Sequence, residues 1–395
     1  KKTYYNIKQG FTMYKELVDY IREVYKIKHD FIPLHEPKFN GNEKKYVLDA
    51  IDSTFVSSIG AYVDKFEAMM CEITGAKYAV ALVNGTNALH LGLLLAGVKK
   101  GDEVITQSLT FIATANAISY CNATPHFVDV DKETLGLSPS MLEKYLEEIA
   151  EIREGECYNK LTNRKIAACV PMHTFGLPLY IDELLAVCKK YNIPVVEDAA
   201  ESLGSYYKEK HTGTFGLMGI FSFNGNKTVT AGGGGAIVTD NEELAKRAKH
   251  LSTQAKIPHK WEYKHDHIGY NYRMPNLNAA LACAQLEQLD TYVNNKRELS
   301  NKYNDLLKDY NNITLVREVE GAKSNYWLNT IIMKNRKERD NFLNFTNDNG
   351  VMTRPIWGML NKLDMFSESP KSNLKNSEWL EERIVNITSS VRLNE

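Results

Sequence analysis

Between Tyr78 and Phe223, short and almost wholly apolar runs alternate with segments of helical periodicity, a pattern that few architectures accept. YAVALV (78–83), EVIT (103–106), PHFVDV (125–130), IAACVPM (166–172), IPVVED (193–198) and GIFSF (219–223) read as strands. Helices are predicted from Thr86 to Gly97, near Phe111 to Cys121, after Ser138, and from Ile181 to Tyr191. Strands without polar alternation are buried on both faces, so the pattern predicts an α/β fold with a mostly parallel sheet and helices on either side. Such sheets collect ligands at the carboxyl ends of their strands. Three polar clusters fall there: Asn84-Gly85-Thr86, His173-Thr174, and Asp198 with Glu201.

The texture differs at both ends of the chain. In residues 1–30, Phe11, Tyr14, Leu17, Val18, Ile21 and Val24 recur at spacings of three and four, which predicts an amphipathic helical extension. Residues 31–255 form the expected large domain. Residues 256–395 form a small α+β domain, with one long helical stretch from Asn276 to Tyr310. Strands ITLVRE, NYWLNTIIM and VMTRP follow, with a helix closed by Gly350. A chain of 395 residues suits this division into a large and a small unit.

Lys+Arg (48) nearly cancel Asp+Glu (49), so nothing in the overall charge calls for nucleic acid or an anionic membrane. The six cysteines are scattered without a CxxC pair, and several lie in apolar segments, which predicts buried free thiols in a reducing, cytoplasmic setting. No long apolar run or signal peptide is read. No metal-ligand pattern is found.

One stretch concentrates chemistry. In GIFSFNGNKTVTAGGGG (219–235) an apolar strand leads into a polar turn, one lysine, and four glycines. An amine in a tight, mostly apolar enclosure is disfavoured as ammonium and is available for Schiff-base formation. GNKT lacks the earlier glycine of a P-loop, because Phe221 stands where it would be, so nucleotide binding through this loop is rejected. A surface lysine in a Gly-rich turn is the bland alternative, and other strand ends weigh against it. The helix starting at Thr86 has a Gly before it and free N–H groups for a phosphate, although NGT is also ordinary capping. Asp198 ends a buried strand, where a carboxylate calls for a cation or donors. Ser222 can serve the same phosphate, and Phe111 is either core or a platform for a flat ring. A lysine Schiff base, a phosphate cradle, an acid for a ring nitrogen and a stacking aromatic together match pyridoxal 5'-phosphate (PLP).

At these residues the chain resembles the DegT/DnrJ/EryC1/StrS group of PLP-dependent nucleotide-sugar aminotransferases, which have the aspartate aminotransferase-like (type I) fold. The resemblance runs from about Ile32 to the C-terminus. It rests on FVSSIGAYVDKFE, NGTNALHL, TFIATANAI, VVEDAAESLGS, FSFNGNKTVTAGGGG and GYNYRMPNLNAA. Within the group it is most similar to the LegC-type enzymes of legionaminic acid and bacillosamine biosynthesis.

The resemblance implies roles for particular residues. Lys227 would hold PLP covalently and shuttle a proton, and Asp198 would pair with the pyridinium nitrogen. Glu201, where the group usually has Gln, would lie near the 3'-oxygen. Gly85, Thr86 and Ser222 would hold the phosphate, with Phe111 and Ala200 on opposite faces of the ring. Asn271 would reach the phosphate of a neighbouring subunit, implying a homodimer. His173, Arg354 and Trp357 would lie on the substrate side. RPIWGML departs from the group's pattern in placing Leu360 where His is common.

The implied reaction takes an amino group from L-glutamate, passes it through pyridoxamine phosphate, and delivers it to C4 of a UDP- or GDP-linked 4-keto-6-deoxy-N-acetylhexosamine. Two rivals are a sugar 3-dehydratase of the same group, which carries His in place of the lysine, and a non-catalytic PLP- or sugar-binding regulator. Lys227 argues against the first and the complete residue set against the second.

Overall fold

The computed structural model describes the chain from Lys2 to Arg392, with side chains from Thr12 onward. The central sheet is ordered Tyr78–Leu82, Gly235–Thr239, Met218–Ser222, Val196–Asp198, Arg164–Val170, Glu103–Gln107, Thr124–Val128. Two hydrogen-bonded sets join through parallel bridges, Cys169 to Val195 and Met172 to Asp198. Gly235–Thr239 runs antiparallel to both its neighbours, and the other pairings are parallel.

That exception decides where the site can form. Because Gly235–Thr239 is reversed, Tyr78–Leu82 on its far side again points the same way as Met218–Ser222. Gly235 pairs with Leu82 on one side and Ser222 on the other. The carboxyl ends of all the parallel strands therefore lie on one edge of the sheet. The sequence reading missed this strand, because the run of four glycines, three before it and Gly235 as its first residue, read as loop.

Helices cover both faces, as the apolar strands require. Gly85–Leu95, Ala113–Tyr120 and Glu242–Ser252 pack against one face through Leu89, Leu91, Ile118 and Ala248. Ala61–Thr74 and Asn276–Leu286 close the other through Phe66, Met70, Ala279 and Cys283, against Phe221 and Phe223. The six cysteines are free, five of them buried. Burial pushes the Cys121, Cys157 and Cys283 thiols up to about 12. Among the described residues no helix is long and apolar enough to cross a membrane.

The stretch from Asn276 to Tyr310 is two helices, Asn276–Leu286 and Leu289–Leu307, rather than one. No proline or glycine marks the break. Long-range bonds flank it instead: Gln285 Nε2 donates to Glu43, and the Glu287 carboxylate accepts from Asn42 and Tyr46. Local periodicity carries no trace of such contacts.

A second sheet, ordered Ile313–Leu315, Asn329–Met333, Ile384–Ile387, Arg354–Pro355, is antiparallel throughout. The first helix, Lys2–Tyr25, buries Met13, Tyr14, Leu17, Val18 and Ile21 against Leu299, Tyr303, Ile331 and Phe342 of this unit. The predicted apolar stripe thus meets its own chain. The side chain of Phe11, counted in that stripe, lies outside the described residues.

Candidate active site

The Met218–Ser222 strand delivers Ser222 to the edge of the sheet, and the turn after it folds Lys227 back over that edge. The Lys227 side chain is only 13% exposed. Its amine lies 3.4 Å from Glu201 Oε1 and 4.1 Å from the centroid of the Trp327 ring, within the range of a cation–π contact. Ala200, Glu201, Ser222 and Lys227 line one small pocket.

Both acids beside the lysine are buried. Asp198 Oδ2 accepts from the Thr114 hydroxyl at 2.7 Å and Oδ1 from the Ala200 N–H at 3.2 Å. Burial raises its pKa, against the pull of these donors and of the nearby Lys227 charge. Glu201 Oε2 accepts from the Phe175 N–H at 2.8 Å, and burial raises the carboxyl to about 7 despite the opposing Lys227 charge. Phe175 holds that N–H in place from the left-handed region, φ 56°, a conformation a buried aromatic adopts only when its surroundings impose it.

On the other side of Ser222 the helix Gly85–Leu95 begins. Asn84 caps it by accepting the Asn87 N–H at 2.8 Å, while the Gly85 and Thr86 N–H groups have no partner within the helix. A Cβ on Gly85 would sit 2.9 Å from the Ser222 Cβ, so only glycine lets the helix start approach the serine. A hydroxyl and a helix N-terminus that meet this closely suit a phosphate. The donor set therefore fits PLP: an enclosed amine, a buried acid for a ring nitrogen, and an anion cradle beside both.

The remaining predicted residues separate. Phe111 is 48% exposed, its ring centroid 6.2 Å from that of Trp357, and Trp357 in turn packs at 4.9 Å on Phe175. Arg354 bonds to Asn347 Oδ1 and the Thr353 carbonyl on the small sheet. His173 is fully buried, with Nε2 on Glu197 at 3.0 Å and Nδ1 accepting the Leu179 N–H at 3.3 Å, so protein groups occupy both ring nitrogens. Asn271 is exposed, at the foot of the hairpin that follows Thr253. Leu360 is a core residue beside Phe127 and Phe366, and its N–H bonds to the Ser108 carbonyl at 3.0 Å.

Sequence reasoning did not find Trp327, Thr114 or the Phe175 N–H. Trp327 comes from the NYW run just before the Asn329–Met333 strand, and its indole N–H bonds to the Asn226 carbonyl at 2.7 Å, next to the lysine. Asn325 ties the same run to the Glu201 and Leu203 carbonyls. No local signal marks these contacts.

An enclosed amine near two buried acids, facing a helix start open to an anion, is what a covalently held pyridine phosphate requires, and the surrounding fold is that of the PLP aminotransferases. The chain belongs to the DegT/DnrJ/EryC1/StrS aminotransferase family, which it matches over residues 37–395. It is 41% identical over 339 residues to the GDP-perosamine synthase of Escherichia coli O157:H7, covering 86% of this chain and 88% of that one. It is 38% identical over 338 residues to EpsN of Bacillus subtilis (strain 168), covering 86% and 84%; the name of EpsN assigns it to the pyridoxal phosphate-dependent aminotransferases. In structure it is similar to the aminotransferase TlmJ from Streptoalloteichus hindustanus, with a TM-score of 0.83, 25% identity, and coverage of 92% and 95%. The chain is an enzyme of the transaminase class, and PLP is its cofactor.

Proposed function

We propose that this enzyme transfers the amino group of L-glutamate to C4 of a nucleotide-linked 4-keto-6-deoxy-N-acetylhexosamine. The product would be a 4-amino-4,6-dideoxy nucleotide sugar for surface glycans of the legionaminic acid or bacillosamine type. The observation that carries the reading is the enclosed Lys227 amine, poised between Glu201 and Trp327 in the pocket that Ser222 borders. A lysine there supports transamination over the 3-dehydratase alternative.

PLP, when bound, supplies the electron sink that acidifies the donor carbon and stores the amino group between the two half-reactions. The chain's own residues supply the rest. Gly85, Thr86 and Ser222 would hold the phosphate. Asp198, braced by Thr114 and the Ala200 N–H, would keep a proton on the ring nitrogen. Glu201 would stand at the 3'-oxygen, with Phe111 and Ala200 on opposite faces of the ring. Lys227 anchors the cofactor and then carries a proton at Nζ. Asn271, exposed and free to meet a second copy, would complete the phosphate site of a homodimer. Residues 1–30, 31–255 and 256–395 are proposed as the extension, the cofactor domain and the small domain, with the helix Asn276–Leu286 of the last packed on the sheet of the cofactor domain.

The similarity to a GDP-perosamine synthase favours a second reading, a GDP-linked sugar without the acetamido group, aminated at the same carbon. One assay tests both. L-glutamate is offered with UDP- and GDP-linked 4-keto-6-deoxy sugars, each with and without the 2-acetamido group, and products are identified by mass and NMR. Amination of an acetamido sugar supports the first reading, and amination confined to the plain GDP-sugar supports the second. No amination of any of them defeats both.

A further inference from the structure

The segment before the first helix of the large unit places one polar side chain inside the molecule without giving it a well-formed hydrogen bond. The Leu34 carbonyl accepts the Ser389 N–H at 2.8 Å, and the Glu36 N–H donates to Ser390 Oγ at 2.9 Å, so the backbone on both sides of His35 is fixed. The His35 ring lies edge-on to Trp327, with centroids 6.5 Å apart. Trp327 is the residue whose face meets the Lys227 amine. Both ring nitrogens of His35 are buried, and neither makes a hydrogen bond of good geometry within the protein, the Asn226 backbone offering the ring only a weak contact. A buried imidazole without a well-formed hydrogen bond costs on the order of 1–3 kcal/mol, and this one lies a single aromatic ring away from the Lys227 amine, where a ligand group could complete it.

We propose that His35 is a substrate-binding residue, which hydrogen-bonds a sugar group that both donates and accepts, either a hydroxyl or the acetamido group. This deepens the nucleotide-sugar reading and rests on it. The surroundings of the ring select that chemistry. Burial, with the charges of Lys296 and Lys227, holds the imidazole well below its ordinary pKa, against a weaker pull from the Asn226 backbone, so the ring is neutral. Lys296 is itself fully buried, with its amine on the Trp327 and Ser389 carbonyls. A neutral imidazole carries one donor and one acceptor. A hydroxyl or an amide satisfies both. The carboxylates of the amino donor accept only, and would leave one nitrogen of the ring unpaired.

The two half-reactions separate this role from a structural one. With PLP-loaded enzyme, bleaching of the visible band by L-glutamate reports the first half alone, and amination of the nucleotide sugar reports the second. His35→Phe is expected to leave glutamate bleaching and melting temperature near wild type while raising the KM for the sugar about tenfold, the loss of one hydrogen-bonded contact. His35→Gln, which keeps a donor and an acceptor, is expected to recover much of that loss. A His35→Phe penalty that vanishes on sugars lacking the acetamido group assigns the contact to that group; a penalty that persists assigns it to a hydroxyl. In the free enzyme, 15N NMR of the ring should show a neutral imidazole whose signals move when the aminated nucleotide sugar is added. Three results overturn the proposal: both half-reactions falling together, neither changing, or the glutamate half falling alone. A wild-type enzyme that bleaches with glutamate but aminates no nucleotide sugar defeats the function reading itself, and this contact with it.

Discussion

Glu201 and Lys227 meet at 3.4 Å across the pocket, and the second oxygen of the carboxyl is already taken by the Phe175 N–H. The acid is therefore fixed on one side and faces the reacting amine on the other. The family resemblance implies Gln at this position, where this chain has Glu. A glutamate there adds a titrating group that the amide does not.

That difference predicts a pH dependence of stability. Burial raises the Glu201 carboxyl from 4.5 to about 7, so between those values the native state holds a proton that the unfolded chain releases. Stability should then fall as pH rises through that window, by on the order of 3 kcal/mol. In Glu201→Gln apoprotein this part of the slope should disappear. Urea midpoints at pH 5 and pH 8 for both proteins check it, and equal slopes would show an ordinary carboxylate.

Lys227→Ala should keep the fold, because the amine's two contacts, Glu201 at 3.4 Å and the Trp327 face, are local to the pocket and the Glu201 carboxyl can hold a proton once the amine is gone. Its transamination should drop by about 10³-fold or more, as expected on removing a group that moves the proton. The PLP-loaded variant should lack the visible band of the lysine-bound cofactor. Substantial turnover in steady-state assays would remove the lysine from its role.

Asp198→Asn tests charge apart from shape. The amide oxygen can still accept from Thr114 or Ala200, so the melting temperature should hold. The negative charge proposed to face the ring nitrogen is lost, and kcat should fall by about 10²–10³-fold. A variant with near-normal kcat would show that the acid serves only its two donors.

Gly85→Ala would press a methyl group to 2.9 Å from the Ser222 Cβ. We expect a loss of about 1–3 kcal/mol in stability as the helix start is pushed away. PLP affinity should weaken with it, measured by equilibrium titration of the apoprotein. Unchanged affinity would place the phosphate elsewhere.

Asn271 allows a test of the dimer. If it serves the neighbouring copy, Lys227→Ala and Asn271→Ala proteins, each impaired alone, should regain activity after mixing and refolding, to about a quarter of wild type for random pairing with one intact site per mixed dimer. Activity equal to the average of the two variants would confine Asn271 to its own chain.

Much of this architecture could be read from the residues because the strands are so uniformly apolar. Runs such as IAACVPM have no solvent face, and a strand without one belongs in the middle of a covered sheet. Lys227, Asp198, Ser222 and Gly85 could be read because each is a polar or glycine interruption at a strand end. Trp327, which meets the Lys227 amine, and His35, which packs on Trp327, could not, because they come from segments about a hundred and two hundred residues away, respectively, and each is locally an ordinary aromatic or polar residue. The reversed Gly235–Thr239 strand was hidden by the glycines before it, and the break after Leu286 by contacts distant in sequence.

Gly235 stands between the two halves of the anion cradle without belonging to either. It pairs with Leu82 and Ser222, and a Cβ there would come within 2.4 Å of the Asn84 backbone. The spacing between helix start and serine is therefore gauged by a residue that need never touch the cofactor. Changes in cofactor retention across relatives of this chain can arise at such a spacer, with every atom that contacts the ligand left as it was.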